Sequence, residues 1–130
     1  MPEWFGIEQA TLSYVAAAGR LATWFAICDD QDAGFVTVQR HFDKAADLFC
    51  MAVHRRFHGM GVGTALVRHV EGVLREQGVE YLQVKTQGPS KPNAGYARTL
   101  HFYEKVGFVR LEEVTGLWPG IPCLILVKRL

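Results

Sequence analysis

Three glycines, Gly59, Gly61 and Gly63, stand between an apolar run that ends at Val53 and an amphipathic run that starts at Val62. Glycines immediately ahead of a helix let successive backbone N–H groups converge on an anion, and the helix dipole favours negative charge at the same point. Arg55, Arg56 and His58 add to that potential. The spacing predicts a phosphate or pyrophosphate cradle between a strand and a helix. A second candidate is Tyr103, in an aromatic cluster with Tyr96, Phe102 and Phe108. Core packing accounts for the two phenylalanines, but a buried phenol needs a polar partner.

Other chemistries fit less well. No Gly-Lys-Ser/Thr follows the glycines, which argues against a nucleoside triphosphate P-loop. A dinucleotide fingerprint needs a third glycine where Leu66 stands, and it follows its strand tightly, whereas the basic stretch His54–His58 intervenes here. His54 and His58 have HxxxH spacing but flank a loop with no third ligand nearby, so no metal site is expected. Asp29, Asp30 and Asp32 sit in a turn, where solvated acids are ordinary. No basic patch with interleaved aromatics points to nucleic acid.

The elements that must position these groups follow from periodicity. Ile7–Ala18 reads as a helix stopped by Gly19. Thr23–Cys28 and Gly34–Gln39 read as strands of a hairpin around CDDQDAG. Asp47–Val53 is a third strand. Val62, Ala65, Leu66, His69, Val70, Val73 and Leu74 make one helical face closed by Gly78, with Glu71 and Arg75 paired on the outer face. Tyr81–Thr86 is a strand, GPSKPNAG a loop, and Tyr96–Val106 a second helix closed by Gly107. Phe108–Glu112 and Pro122–Lys128 are strands around a turn at GLWPG. The strand–helix–strand unit from Asp47 to Thr86 should be parallel. The order predicts a mixed α/β (α+β) fold in a single domain over residues 1–130.

Bulk properties set limits. A chain of 130 residues, 49% hydrophobic and 21% charged, supports one globular core. A net charge of +1 gives no general attraction to nucleic acid or membrane. No apolar run approaches the roughly 18 residues of a membrane span, and the N-terminus lacks an export signature. Cys28, Cys50 and Cys123 are odd in number and lie in apolar segments, which predicts buried reduced thiols and a cytoplasmic setting.

Two segments bear a specific resemblance. HGMGVGTAL resembles the R/Q-x-x-G-x-G/A signature of the GNAT N-acetyltransferase superfamily, and YARTLHFYEKVGF resembles that family's second signature. The strand DLFCMAV lies directly upstream, as the family requires, and LWPGIPCLILVK is similar to the ending of small bacterial members. The resemblance covers residues 20 to 130 and implies a GNAT-like acyl-CoA N-acyltransferase fold, a twisted sheet of about six strands with flanking helices. It leaves the family's N-terminal strand and helix without a counterpart. Three departures stand out. His58 replaces Arg or Gln, Tyr96 stands where Asn is frequent, and Thr99 stands where Ala is frequent.

The resemblance implies acetyl-CoA as co-substrate and a primary amine, on a small molecule or a protein, as acceptor. Met51 and Val53 would pair with the pantetheine arm. His58, Gly59, Met60, Gly61, Val62, Gly63 and Thr64 would hold the pyrophosphate. The free base of a lysine-like amine lies about three pKa units away at neutrality, roughly 4 kcal/mol. Asp47 matches the position of a family base, although a solvated strand-end Asp is equally compatible. Its side chain should share a face with Phe49, Met51 and Val53. Tyr103 matches the family's general acid. Trp4, Phe5, His41 and the Leu117–Gly120 loop are candidates for the acceptor pocket. A non-catalytic CoA-binding domain is the alternative, and exposed strand edges would allow a homodimer.

Overall fold

The computed structural model describes residues 10–17, 21–91 and 93–130, and over 10–17 the backbone course only. Seven strands build one sheet: β1 (Ala10–Ala17), β2 (Leu21–Cys28), β3 (Gln31–Phe42), β4 (Ala45–Val53), β5 (Tyr81–Gln87), β6 (Val109–Trp118) and β7 (Ile121–Arg129). Their order is β1-β2-β3-β4-β5-β7-β6. Every neighbouring pair is antiparallel except β4 and β5, which are parallel as the strand–helix–strand unit requires. The helices are α1 (Val62–Glu76) and α2 (Ala94–Lys105). The expected mixed sheet with flanking helices is therefore present.

The helix expected over Ile7–Ala18 is corrected. Ala10–Ala17 is a strand, paired along its length with β2 from Ala10–Cys28 to Ala17–Leu21. Leu12, Tyr14 and Ala16 alternate with Thr11, Ser13 and Val15, a period of two that pairing with β2 selects over helical spacing. The sheet accordingly has seven strands rather than six, and β1 occupies the edge for which no strand was expected. The rest of that segment, with Trp4 and Phe5, lies outside the described residues.

Boundaries elsewhere shift for local reasons. The β2–β3 hairpin closes with two residues, Asp29 and Asp30, at φ 53° and 63°. A two-residue turn of this hand matches strand twist, so Asp32 belongs to β3 rather than to the turn. Helix α2 starts two residues before Tyr96, because the Asn93 side chain accepts a hydrogen bond from the Tyr96 N–H at 3.1 Å. Strand β6 runs on to Trp118, leaving only Pro119 and Gly120 for the turn.

Both helices lie on one face of the sheet. Leu66, Val70 and Leu74 of α1 are buried against Trp24, Val36, Val38, Leu48, Leu82, Val84 and Leu126. His69 meets the Trp24 ring edge-on, with centroids 5.9 Å apart. Glu71, expected on the outer face, is instead 1% exposed. Its carboxylate accepts from Lys128 Nζ of β7 at 2.5 Å and from Arg68 at 3.1 Å, with Arg75 at 3.5 Å. Lys128 and Arg68 also donate to the Val106 carbonyl, which ends α2. One buried carboxylate thus ties α1, α2 and β7 together.

A buried charge stripped of its partner costs about 3 to 5 kcal/mol. Lys128→Met should lower unfolding stability by about 3 kcal/mol in urea titration, and Glu71→Leu added to it should recover most of that loss.

Candidate active site

The site is organised by where β4 and β5 stop pairing. Their parallel ladder runs from Ala45–Tyr81 to Leu48–Val84 and ends there, while β4 continues to Val53 and β5 to Gln87. Beyond Leu48 the two strands fork. The β4 edge from Phe49 to Val53 then has no β5 partner, so its backbone groups are open to an extended ligand.

On the helical face the fork opens into a cleft of about 650 Å³. Of the nine residues expected to bind the cofactor, Met51, Val53, His58, Gly59, Gly61, Val62, Gly63 and Thr64 line it, and Tyr103 does too. Met60 does not; its side chain packs against the core. Gly61 caps α1 in a left-handed conformation, φ 83°, with no side-chain hydrogen bond, and no acidic residue occupies the first turn. The first N–H groups of α1 are thus left without helical carbonyls, at residues that line the cleft. Gly63 also sets the helix spacing, since a Cβ there would stand 3.1 Å from the Phe102 ring.

The basic loop is arranged differently from expectation. His58 Nε2 is 2.7 Å from the Val53 carbonyl, so the ring ties the loop back to β4 and that carbonyl is already engaged. His54 Nδ1 accepts from the Arg56 N–H, and Arg56 reaches Gln31. Arg55 and Arg56 stand outside the cleft. Its cations come from α2 instead: Arg98 and Lys105 line it together with Thr99 and Phe102. Sequence reading missed these two, although the 98, 102, 105 spacing places them on one helical face. Among the described residues no group of three or more His, Cys, Asp or Glu could hold a metal ion.

Tyr103 is 7% exposed, and its phenol makes no hydrogen bond to any described residue. Its ring lies tilted against Phe102, with centroids 5.5 Å apart, and edge-on to Phe108. Burial, then Cys50 and Asp47, push its pKa up to about 12. The phenol therefore keeps its proton through the neutral range and lies within electrostatic reach of both residues.

Asp47 lies on the opposite face, and its expected neighbours are corrected. Thr37 pairs with Cys50 but Val38 with Leu48, so Phe49 is an extra residue, a β-bulge. The bulge resets the alternation. Asp47 lies opposite Gln39 and Cys50 opposite Thr37, on one face, whereas Met51 lies opposite the buried Val36, on the helical face. Asp47 therefore shares its face with Cys50, not with Phe49, Met51 and Val53. Cys50 is exposed, against the expectation of three buried thiols, because beyond the fork β5 no longer flanks it.

Asp47 is only 5% exposed, so a solvated strand end is ruled out. Lys85 Nζ donates to its Oδ2 at 3.0 Å, and His41 Nε2 lies 3.5 Å from the same oxygen. Oδ1 is enclosed and has no hydrogen-bond donor among the described residues. Lys85 is the first β5 residue beyond the last parallel pair, so the ion pair spans the mouth of the fork. Lys85 was not singled out from sequence; an isolated strand lysine carries no signal until its partner across the fork is known. The Leu117–Gly120 loop does not line the cleft.

Residues 19–110 match the family model described as an acetyltransferase (GNAT) domain. The chain is 28% identical over 127 residues to the mycothiol acetyltransferase of Propionibacterium freudenreichii, covering 88% of this chain and 39% of that protein. It thus spans about two fifths of that curated relative. A GNAT-family protein from Desulfovibrio desulfuricans superposes with a TM-score of 0.75 at 27% identity, over 84% of this chain and 68% of the other. A GNAT acetyltransferase from Elizabethkingia anophelis with acetyl-CoA bound shares the fold at 14% identity, with a TM-score of 0.79 over 95% and 99% of the two chains. The glycine cradle at α1, the β4–β5 fork and the match over most of the chain lead to one assignment: the protein belongs to the GNAT acetyltransferase domain family.

Proposed function

We propose that the protein is an acetyl-CoA-dependent N-acetyltransferase in which Tyr103 and Asp47 serve the reaction from opposite faces of the sheet. The observation that carries this reading is the buried Tyr103 phenol beside a fork whose cleft it shares with the N-terminus of α1. Acetyl-CoA supplies the activated acetyl thioester. Backbone N–H groups from Gly59 to Thr64 hold its pyrophosphate, aided by Arg98 and Lys105. Met51 presents backbone groups to the pantetheine arm and to the carbonyl oxygen. Val53 contributes through its side chain and N–H, its carbonyl being taken by His58. Met60 supports the loop from the core.

The acceptor enters from the Asp47 face. Asp47 takes the ammonium proton, the free amine attacks the acetyl carbon, the N–C bond forms and the C–S bond breaks. The departing thiolate takes a proton from Tyr103, and the second proton shed by the nitrogen returns through water to the Tyr103 phenolate. The acceptor is an amine of a small molecule or a protein. The exposed Val109 and Leu111 of the edge strand β6 suit a homodimer. The cysteines lie on β2, β4 and β7, no two of them adjacent in the sheet, which fits reduced thiols and a cytoplasmic location.

Acetyl-CoA and CoA, each at about 100 times its dissociation constant, should add about 2.7 kcal/mol and raise the melting midpoint by several degrees, while ATP and NAD should leave it in place. A response to ATP or NAD instead would overturn the reading. Tyr103→Phe should keep that response and lower kcat roughly hundredfold; unchanged turnover would remove Tyr103 from the mechanism. The same variant has an alkaline signature. The unfolded phenol ionises near its ordinary value of 10.0 and the folded one near 12. Stability is therefore full below pH 10 and declines as pH rises through 12, by about 2 to 3 kcal/mol. Relative to wild type, Tyr103→Phe should be spared that decline in urea titrations between pH 9 and pH 12.

A further inference from the structure

We infer that the acceptor is an amino-acid-like zwitterion, an amine with a carboxylate on the same or the adjacent carbon, seated across the Asp47–Lys85 pair. This rests on the acetyltransferase reading. The pair lies at the mouth of the fork, where Tyr103 comes within electrostatic reach of Asp47. Asp47 contributes one oxygen already held by Lys85 and one, Oδ1, that is enclosed without a donor. A desolvated carboxylate oxygen without a donor is unfavourable, and the group that best satisfies it is a cationic N–H.

The other half of the site has the opposite demand. Lys85 has three ammonium donors, and only one meets a described acceptor. His41 Nε2 lies 3.5 Å from Asp47 Oδ2, so its ring adjoins the same carboxylate. The protein thus presents a carboxylate oxygen lacking a donor directly beside an ammonium with donors to spare. A ligand ion pair of reversed sense fits both. A simple monoamine satisfies only Asp47. A polyamine brings a second cation toward Lys85, a like-charge juxtaposition that disfavours it. Both protein groups lie on the face opposite α1 and α2, where no helix covers the sheet among the described residues.

The test compares matched acceptors with the full chain and acetyl-CoA: free amino acids, their amides and methyl esters, the decarboxylated amines and spermidine. Release of CoA and the mass of the acetylated product are read together. The free acids should exceed their amides and decarboxylated amines in kcat/KM by about tenfold or more, the value of one charge-assisted contact. Lys85→Met should bring that ratio close to one while acetyl-CoA affinity stays within about twofold, and Lys85→Arg should restore it. The wild-type ratio decides the matter even where Lys85→Met does not fold. Equal or better use of the amides, monoamines or spermidine would overturn this inference and leave the acetyltransferase reading intact. Acetyl-CoA binding without turnover of any amine would overturn both.

Discussion

Two parallel strands that part after four residue pairs set the conditions for everything else in this protein. Backbone groups released from a ladder must find other partners or face water. Here β4 meets that demand in three ways. Its other edge stays paired with β3. Its last carbonyl, at Val53, is taken by His58. The freed edge at Met51, Ala52 and Val53 lines the cleft. The Phe49 bulge belongs to the same solution, because it reverses the alternation of β4 where the strand leaves its neighbour. Met51 is thereby turned to the helical face, while Asp47 and Cys50 stay together on the other.

A forked sheet has to be held open, and buried charge does this from both sides. On the helical face Glu71 receives Lys128, Arg68 and Arg75, and two of those cations continue to the end of α2. The helix that carries Tyr103 is thus fixed to α1 and β7 three residues beyond the phenol. On the opposite face Asp47 and Lys85 link β4 to β5 past their last shared pair. Each carboxylate is nearly inaccessible, and each is matched by a lysine from a strand, so neither is an uncompensated buried charge.

Much of this was legible in the sequence. The strand–glycine–helix succession stood out because helix period, strand period and special backbone conformation each leave a distinct residue pattern. What escaped notice depends on neighbours distant in the chain. Residues 10–17 satisfy both a helical and a strand pattern, and only pairing with β2 decides between them. The Phe49 bulge is a property of register, invisible in β4 alone, so Asp47 was assigned the wrong companions. Glu71 looked like an ordinary outer-face acid because Lys128 lies 57 positions away. Lys85 had no meaning before Asp47 was known to face it across 38 positions. Arg98 and Lys105 were legible in principle, by spacing along α2, but the glycine loop drew attention to the nearer Arg55 and Arg56.

In the proposed reaction the two faces of the fork would recognise their ligands by different means. The cleft side works chiefly through main-chain N–H groups and a helix terminus, which suit any pyrophosphate carried on an extended arm. Such recognition depends on backbone shape and hardly at all on which side chains line the helix. The other face offers the Asp47–Lys85 ion pair with His41 beside it, an arrangement of charge that is a property of those side chains alone. Donors and acceptors fixed in a half-closed site reject a ligand that leaves them unpaired far more strongly than apolar walls reject a change in size. On the proposed acceptor reading, selection among acceptors therefore falls to the charged face. In the proposed reaction Tyr103, reaching the fork from α2, would serve the leaving thiolate on the cleft side while the acceptor approached from the charged face.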